Sequence, residues 1–207
     1  MSKVYILAEG ETEEKFIKEI LNPYFEVKGI FIQPICLRGI DKYSSIKKEV
    51  NNLLKDTTVK IVTTMIDLYG SPSDMPQKEQ IKQDMNYIEK VEFLEDAFSK
   101  DIGHLKFLPY LQLHEFESLL FSDVSHFSLL IKNIKIFEKI AIQKEPEEIN
   151  DSPSTAPSKR IIKAIPEYEF SKPANGIILS KAIGLAKMRE KCPHFNRWID
   201  CIEKRCL

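Results

Sequence analysis

The sequence lacks the motifs that several common classes of enzyme require. Its 207 residues include only seven glycines and four cysteines. The glycines form neither a G-x-x-x-x-G-K-[ST] nor a G-x-G-x-x-G motif, so a nucleotide-binding enzyme is a weak hypothesis. The cysteines show no C-x-x-C spacing, and the group formed by Cys192, His194, Cys201 and Cys206 matches no common zinc pattern. A zinc site is therefore disfavoured.

Long apolar runs are also missing, and the net charge is only −1. No stretch approaches the length of a membrane span, and residues 1–3 lead into a short strand-like run without a signal-peptide pattern. We therefore expect a cytoplasmic protein that does not bind membranes. The charge is unevenly distributed: residues 151–207 carry 11 Lys or Arg against 6 Asp or Glu, whereas residues 1–150 carry 19 against 25. This asymmetry suggests an acidic centre beside a basic surface, although scattered solvated charges would give the same count.

Strand-like and helical patterns alternate in the first part of the chain. We predict strands at residues 4–8, 30–37, 60–66 and 105–113, and helices at residues 13–21, 43–54 and 81–98. Thr12 is the expected N-cap of the first helix, and Pro23 its expected end. This order predicts an α/β fold with a mostly parallel sheet flanked by helices.

The second part of the chain is predicted to be helical and basic. A helix is expected at residues 127–142, followed by a polar linker at 144–159 and two or three further helices broken by Pro166, Pro173 and Pro193. We place an α/β core at residues 1–124 and a C-terminal helical extension, packed on the core, at residues 125–207.

Acidic residues follow three of the predicted strands. Glu9 follows the first, Asp67 the third, and Glu115 and Glu117 the fourth. Ligands of parallel sheets collect at the carboxyl ends of the strands, and gathered carboxylates are typical ligands of Mg²⁺. If Glu115 and Glu117 continue the strand, they share one of its faces. A single acid after a strand is more often a solvated turn residue, so the prediction rests on the coincidence of three strand ends.

The residues after Glu9 suggest how a phosphate is approached. Gly10 permits a sharp turn, and Thr12 lies at the expected helix start, where a phosphate is favoured. Glu13 is either a helper of the site or an ordinary first-turn acid that complements the helix dipole.

Several of these motifs resemble known families. "AEGETEEKF" (8–16) resembles the first motif of Toprim domains, in which a strand ends in Glu-Gly and an acid follows four residues later, and "MIDLYG" (65–70) stands where that fold has Asp-x-Asp. These two segments, together with "LHEFESLLF" (113–121), "STAPSKRI" (154–161) and "CPHFNRWI" (192–199), resemble the domain-of-unknown-function family 4276 over nearly the whole chain.

The resemblance implies a Toprim-like fold related to the overcoming-lysogenization-defect nucleases and to other antiphage effectors, which use Mg²⁺ or Mn²⁺ and often work beside an AAA or ABC-type ATPase. Glu9 would then be the Toprim glutamate, a metal ligand or general acid/base, and Asp67 a metal ligand. Tyr69 replaces the second Asp of the motif and is a possible helper of the site. Glu115 or Glu117 is the expected substitute, with Glu117 as the third metal ligand.

The "PSKR" segment places Lys159 and Arg160 in the first turn of a predicted helix. Cations there oppose the helix dipole, and a bound phosphate would relieve the conflict. A solvated basic turn is the alternative.

Two functions remain open. The first is a Mg²⁺-dependent Toprim-type nuclease that cleaves DNA or RNA, in which Glu9, Asp67, Glu115 and Glu117 form the catalytic site. The second is a non-catalytic Toprim-like module that regulates or docks onto an ATPase, which Tyr69 favours.

Overall fold

A parallel β-sheet forms the centre of the protein. The computed structural model describes residues 2–39, 42–82, 84–150 and 152–207. The strands are β1 (Ser2–Ala8), β2 (Ile30–Cys36), β3 (Val59–Asp67), β4 (Phe107–Leu108) and β5 (Leu111–Gln112). Their order is β2-β1-β3-β4, β5 also pairs with β3, and every pairing is parallel. The predicted α/β class is confirmed, and this topology is consistent with a Toprim or Rossmann-like fold.

Helices cover both faces of the sheet. They are α1 (Glu11–Phe16), α2 (Asn22–Glu26), α3 (Tyr43–Leu53), α4 (Tyr87–Ile102), α5 (Lys135–Gln143), α6 (Pro157–Ala164), α7 (Lys172–Ile183), α8 (Leu185–Lys191) and α9 (Pro193–Cys206). Val4, Ile6 and Ala8 point from β1 into a core shared with α1, α2 and the C-terminal helices. Tyr5 and Leu7 point into a second core with α3 and α4. This alternation follows from the period of two in a strand.

The first helical region differs from the prediction at both ends. Gly10, not Thr12, is the N-cap of α1, and Thr12 lies inside the helix. Pro23 does not end the helical region, which passes through a π-helical segment (Ile17–Leu21) and continues as α2 to Glu26. Proline lacks an N–H and its ring disturbs a regular α turn, and the wider π turn just before Pro23 accommodates it.

The predicted strand at 105–113 and helix at 81–98 also need correction. The strand is divided into β4 and β5, with Pro109 between them, because proline cannot donate to a strand ladder. Helix α4 starts at Tyr87, where Asn86 and Glu89 form a capping box: the Glu89 N–H donates to Asn86 Oδ1 and the Asn86 N–H to Glu89 Oε2. The predicted helix therefore starts several residues too early; residue 83 of that prediction lies outside the described residues.

The C-terminal region is helical, as predicted, but its details differ. Two 3₁₀ helices within Phe116–Leu129, separated by a kink at Asp123, precede α5. Helix α5 starts at Lys135, so the helix predicted at 127–142 is shorter. Residues 144–159 are not a solvated linker, because Glu147, Ile149 and Asn150 are buried; residue 151 lies outside the described residues. Four α-helices follow instead of two or three. Pro173 and Pro193 lie in first turns, where proline is tolerated.

Both parts of the chain contribute to one hydrophobic core, while the boundary at residue 124 stays a prediction. In the described part of the chain, no helix is both long and apolar enough to cross a membrane.

Candidate functional site

The structure brings the acids of three strand ends together. Glu9 follows β1, Asp67 is the last residue of β3, and Glu115 lies three residues after β5. The Asp67 N–H donates to Glu9 Oε2 at 2.9 Å, and the Phe116 N–H donates to Asp67 Oδ1 at 2.9 Å. Each backbone link joins one strand end to the next. The carboxylates are therefore positioned by the main chain of neighbouring segments, as expected for parallel strands that end at one edge of a sheet.

Gly70 lets the backbone approach Glu9 closely. A Cβ atom at Gly70 would lie 2.3 Å from Glu9 Oε1, which no side chain can accept. Residue 70 therefore has to be glycine while Glu9 keeps this position. The glycine in "MIDLYG" thus leaves space for the side chain of Glu9 in the first motif.

Glu13 lies inside the acid cluster, although it occupies the first turn of a helix. Its side chain is buried, and its Oε2 accepts the Gly10 N–H at 2.9 Å. Burial is the main cause that raises its pKa, and repulsion from Glu9 adds to it. Dipole complementation alone does not require a buried carboxylate. At the helix start where a phosphate was expected, the Gly10 N–H is bonded to Glu13, and Thr12 is one residue past the α1 start.

Glu115 and Glu117 reach the cluster from a helix start, not from a strand. Glu115 is the N-cap of the 3₁₀ helix, so the expectation that both residues share a strand face is wrong. Their spacing still brings both to the site, because the chain turns at His114, which has a φ of 63°. Glu115 Oε2 accepts the Ser158 N–H at 2.9 Å, and Glu117 lies 3.5 Å from the Lys172 ammonium.

The electrostatics of the cluster disfavour its charged form. Burial raises the pKa of Asp67 well above its ordinary value, and Glu13, Glu9, Glu117 and Glu115 raise it further by repulsion. Burial likewise raises the pKa of Glu9 and brings that of Glu117 to about 7, although Lys172 opposes the second shift. Among the ion pairs of the described residues, Lys172 with Glu117 brings a cation to these acids. The cluster therefore carries more negative charge than its protein surroundings offset.

The donors of this site fit a hard divalent cation in kind. Oxygen ligands from several carboxylates are what Mg²⁺ and Mn²⁺ bind, and backbone N–H groups hold Glu9, Asp67 and Glu115 by one oxygen each. As the side chains stand, no three His, Cys, Asp or Glu residues of the described chain are close enough to hold a metal ion.

Two tyrosines lie near the acids in different ways. Tyr69, which takes the place of the second Asp, is 43% exposed, and its ring lies 5.8 Å from that of His114. Tyr168 is fully buried, and burial together with Glu117 and Glu115 raises its pKa. Tyr69 cannot supply the missing carboxylate, whereas Glu13, Glu115 and Glu117 place three further acids around Asp67.

Lys159 and Arg160 do not join the acid cluster. They follow Ser158 in α6 and line a separate cavity, whereas the Ser158 N–H contacts Glu115. The predicted basic residues therefore lie beside the acid cluster, on the other side of one short helix.

A comparison with protein-family models identifies the family of this chain. The model of the family "Domain of unknown function (DUF4276)" matches residues 8–203. This chain belongs to that family. No curated protein matches it. Among solved structures, it is similar to the C-terminal region of the OLD protein of Xanthomonas campestris pv. campestris, with 13% identity and a TM-score of 0.40 over 99% of this chain and 98% of that one.

Three contributors in this DUF4276 member were not foreseen from the sequence. Gly70 makes room for Glu9, Lys172 pairs with Glu117, and Tyr168 is buried beside the acids. Gly70 carries the one usable signal, because a glycine directly after a strand-end motif often marks a close backbone approach. Lys172 and Tyr168 come from distant segments, and only the fold brings them to the site.

Proposed function

We propose that this chain is a metal-dependent nuclease of Toprim type that cleaves phosphodiester bonds in DNA or RNA. The observation that carries the proposal is the gathering of Glu9, Glu13, Asp67, Glu115 and Glu117 at the ends of parallel strands, where burial raises the pKa of most of them. Raised carboxylate pKa values at one edge of an α/β sheet are typical of functional sites. The resemblance to Toprim domains supports the same conclusion.

The acids of the cluster have different proposed roles. Glu9, Asp67 and Glu117 are the proposed ligands of Mg²⁺ or Mn²⁺, which when bound offsets the repulsion among the acids and stabilises negative charge on the phosphate. Glu115 orients the site through its hydrogen bond from Ser158. In the cation-free site burial raises the pKa of Glu117 to about 7, so this carboxyl group loses its proton when it takes its proposed place as a metal ligand.

Two wider features are proposed from the resemblance. The chain would act as an antiphage effector, and it would work with an AAA or ABC-type ATPase that controls access to nucleic acid. These proposals depend on the family likeness and not on the geometry of the acids.

A second candidate function is a non-catalytic module that docks onto such an ATPase. Tyr69 in the place of the second motif acid favours it, as does the spacing of the acids in the described chain, which are not yet close enough to hold a metal. Glu13, buried beside Asp67 with a raised pKa, weighs against it.

Cleavage assays with matched variants test the nuclease. Purified protein is incubated with plasmid DNA and with total tRNA in Mg²⁺, Mn²⁺ or EDTA. Metal-dependent cutting is expected, and Glu9→Gln should lower it by at least about 100-fold, since it removes a positioned acid/base or ligand. Glu11→Gln is the control, because Glu11 is an exposed acid on the same segment. Equal cutting by the wild type and Glu9→Gln would refute the assignment. Cutting in EDTA would refute the metal.

A further inference from the structure

A cavity of about 350 Å³ lies between α5 and α6, apart from the acid cluster. Lys139, Lys159, Arg160 and Lys163 line it, together with Ser154 and Thr155. Among the described residues that line this cationic groove, none is acidic. The described lining therefore carries four cations and no acid, on a chain whose net charge is −1.

The geometry of α6 places Lys159 and Lys163 on one face of the helix. Ser158 and Ile161 of α6 are buried, whereas Lys159 and Lys163, four residues apart, are exposed on the same face. Lys139 faces them from α5. In the parts of the chain that the structure describes, no carboxylate forms an ion pair with these three lysines. Like charges four residues apart on a helix repel each other, so the arrangement costs stability unless an anion lies between them.

We propose that the cationic groove binds the phosphodiester backbone of the nucleic acid on which the acid cluster acts, with Lys139 and Lys163 as contacts in addition to Lys159 and Arg160. This inference rests on the proposed nuclease function and names the surface that holds the strand beside the reacting phosphate. Ser158 links the two regions: its N–H donates to Glu115, and the next residue, Lys159, lines the groove. A nucleic-acid strand that passes from the acids along α6 would contact these lysines directly.

The phosphate chemistry is the same for DNA and RNA, and the assay separates them. Binding of labelled single-stranded and duplex DNA and RNA is measured by fluorescence anisotropy in EDTA, where no cutting occurs, over a range of salt concentrations. Lys139→Glu/Lys163→Glu should weaken binding by roughly tenfold or more and lower the salt slope by about one for each lysine. Lys139→Gln/Lys163→Gln, the milder pair, should show a smaller loss in the same direction.

The control pair is Lys48→Glu/Lys55→Glu. Both lysines are exposed and lie on or just after α3, which covers the opposite face of the sheet. Melting temperatures confirm that each variant is folded. Unchanged binding after charge reversal in the groove, or an equal loss in the control pair, would overturn the proposal. It would also be overturned if the wild type bound no nucleic acid, or if inorganic phosphate protected it from melting while oligonucleotides did not.

A small chromogenic phosphodiester separates failure of the groove from failure of the acid site. The substrate is short enough to need only the acids, so groove variants should hydrolyse it at the wild-type rate. Loss of nucleic-acid binding with retained hydrolysis supports the groove. If the protein hydrolyses the substrate but the lysine substitutions do not change nucleic-acid binding, the groove proposal is refuted and the nuclease proposal stands. If no protein hydrolyses the substrate, the acid site is refuted, while the anisotropy result decides the groove on its own.

Discussion

Among the described residues, carboxylates are buried in two regions, whose surroundings affect the negative charge in opposite ways. Glu147 is buried at the start of α9, where its two oxygens accept the N–H groups of His194 and Phe195 at 3.0 Å each. The acid cluster instead places Glu9, Asp67 and Glu117 against one another. A helix N-terminus satisfies a carboxylate, because its N–H groups have no partner within the helix. Glu147 thus serves the fold, whereas the acid cluster disfavours its own ionisation.

The surroundings of the carboxylates in the two regions account for this difference. Burial raises the pKa in both regions, but hydrogen bonds from α9 and the nearby His194 and Arg197 oppose the rise at Glu147. At Asp67 the neighbouring groups that follow burial are all acids and push the pKa further upward. A buried acid surrounded by donors needs no ligand. A buried acid surrounded by acids is stabilised when a cation binds.

The largest expected effect is on stability, at the structural acid. Glu147→Ala leaves the His194 and Phe195 N–H groups buried without an acceptor, which should lower the free energy of unfolding by about 2–4 kcal/mol. Urea unfolding measures this loss. Glu148→Ala is the control, because Glu148 is the exposed neighbour and should change stability by less than about 0.5 kcal/mol. Similar losses in both variants would show that Glu147 does not cap α9.

The next largest effect is a gain in stability, caused by a substitution in the acid cluster. The ordinary pKa of Glu117 is 4.5 and its folded value is about 7, so the folded state binds the proton more tightly. Its contribution to stability is fully present below about pH 4.5 and is lost as the pH rises through 7. This loss is roughly 3 kcal/mol. Glu117→Gln should remove it, so the variant should be more stable than the wild type at pH 8 in EDTA.

The measurement is urea unfolding of both proteins at pH 5 and pH 8. The gain at pH 8 should shrink at pH 5, where Glu117 holds its proton in the folded wild type. The attraction of Lys172, which Gln loses, is already included in the pKa of about 7 and so does not reverse this effect. Parallel pH profiles for the two proteins would contradict the raised pKa.

Local sequence patterns were enough to predict the sheet and the positions of the main acids. The apolar run before Glu9 and that before Asp67 each became a parallel strand, because both are buried on two faces and β-branched residues are frequent in them. Parallel strands end at one edge, so the meeting of these two acids followed from topology.

What the sequence did not reveal depends on contacts between distant segments. The π segment before Pro23 is one case, since it needs the packing of α1 and α2 against the sheet to hold a wider turn. The closeness of Lys172 to Glu117 is another, because α7 reaches the site only through the folded C-terminal region. The burial of Glu13 is a third, since a first-turn acid is usually solvated. None of these leaves a periodic signal in the sequence.

The smallest effect is the direct test of whether the acid cluster differs from Glu147 in needing a cation. Adding Mg²⁺ or Mn²⁺ should stabilise the wild type by RT ln(1 + [L]/Kd), or about 1.4 kcal/mol at ten times Kd, and raise its melting temperature. Asp67→Asn should abolish this gain while keeping the hydrogen bond from Phe116, because the amide oxygen can accept the same N–H. Asp84→Asn, at an exposed acid, is the control and should keep the full gain. An equal gain in wild type, Asp67→Asn and Asp84→Asn would mean that the cation binds elsewhere, and the acid cluster would then lose its proposed role as the metal site.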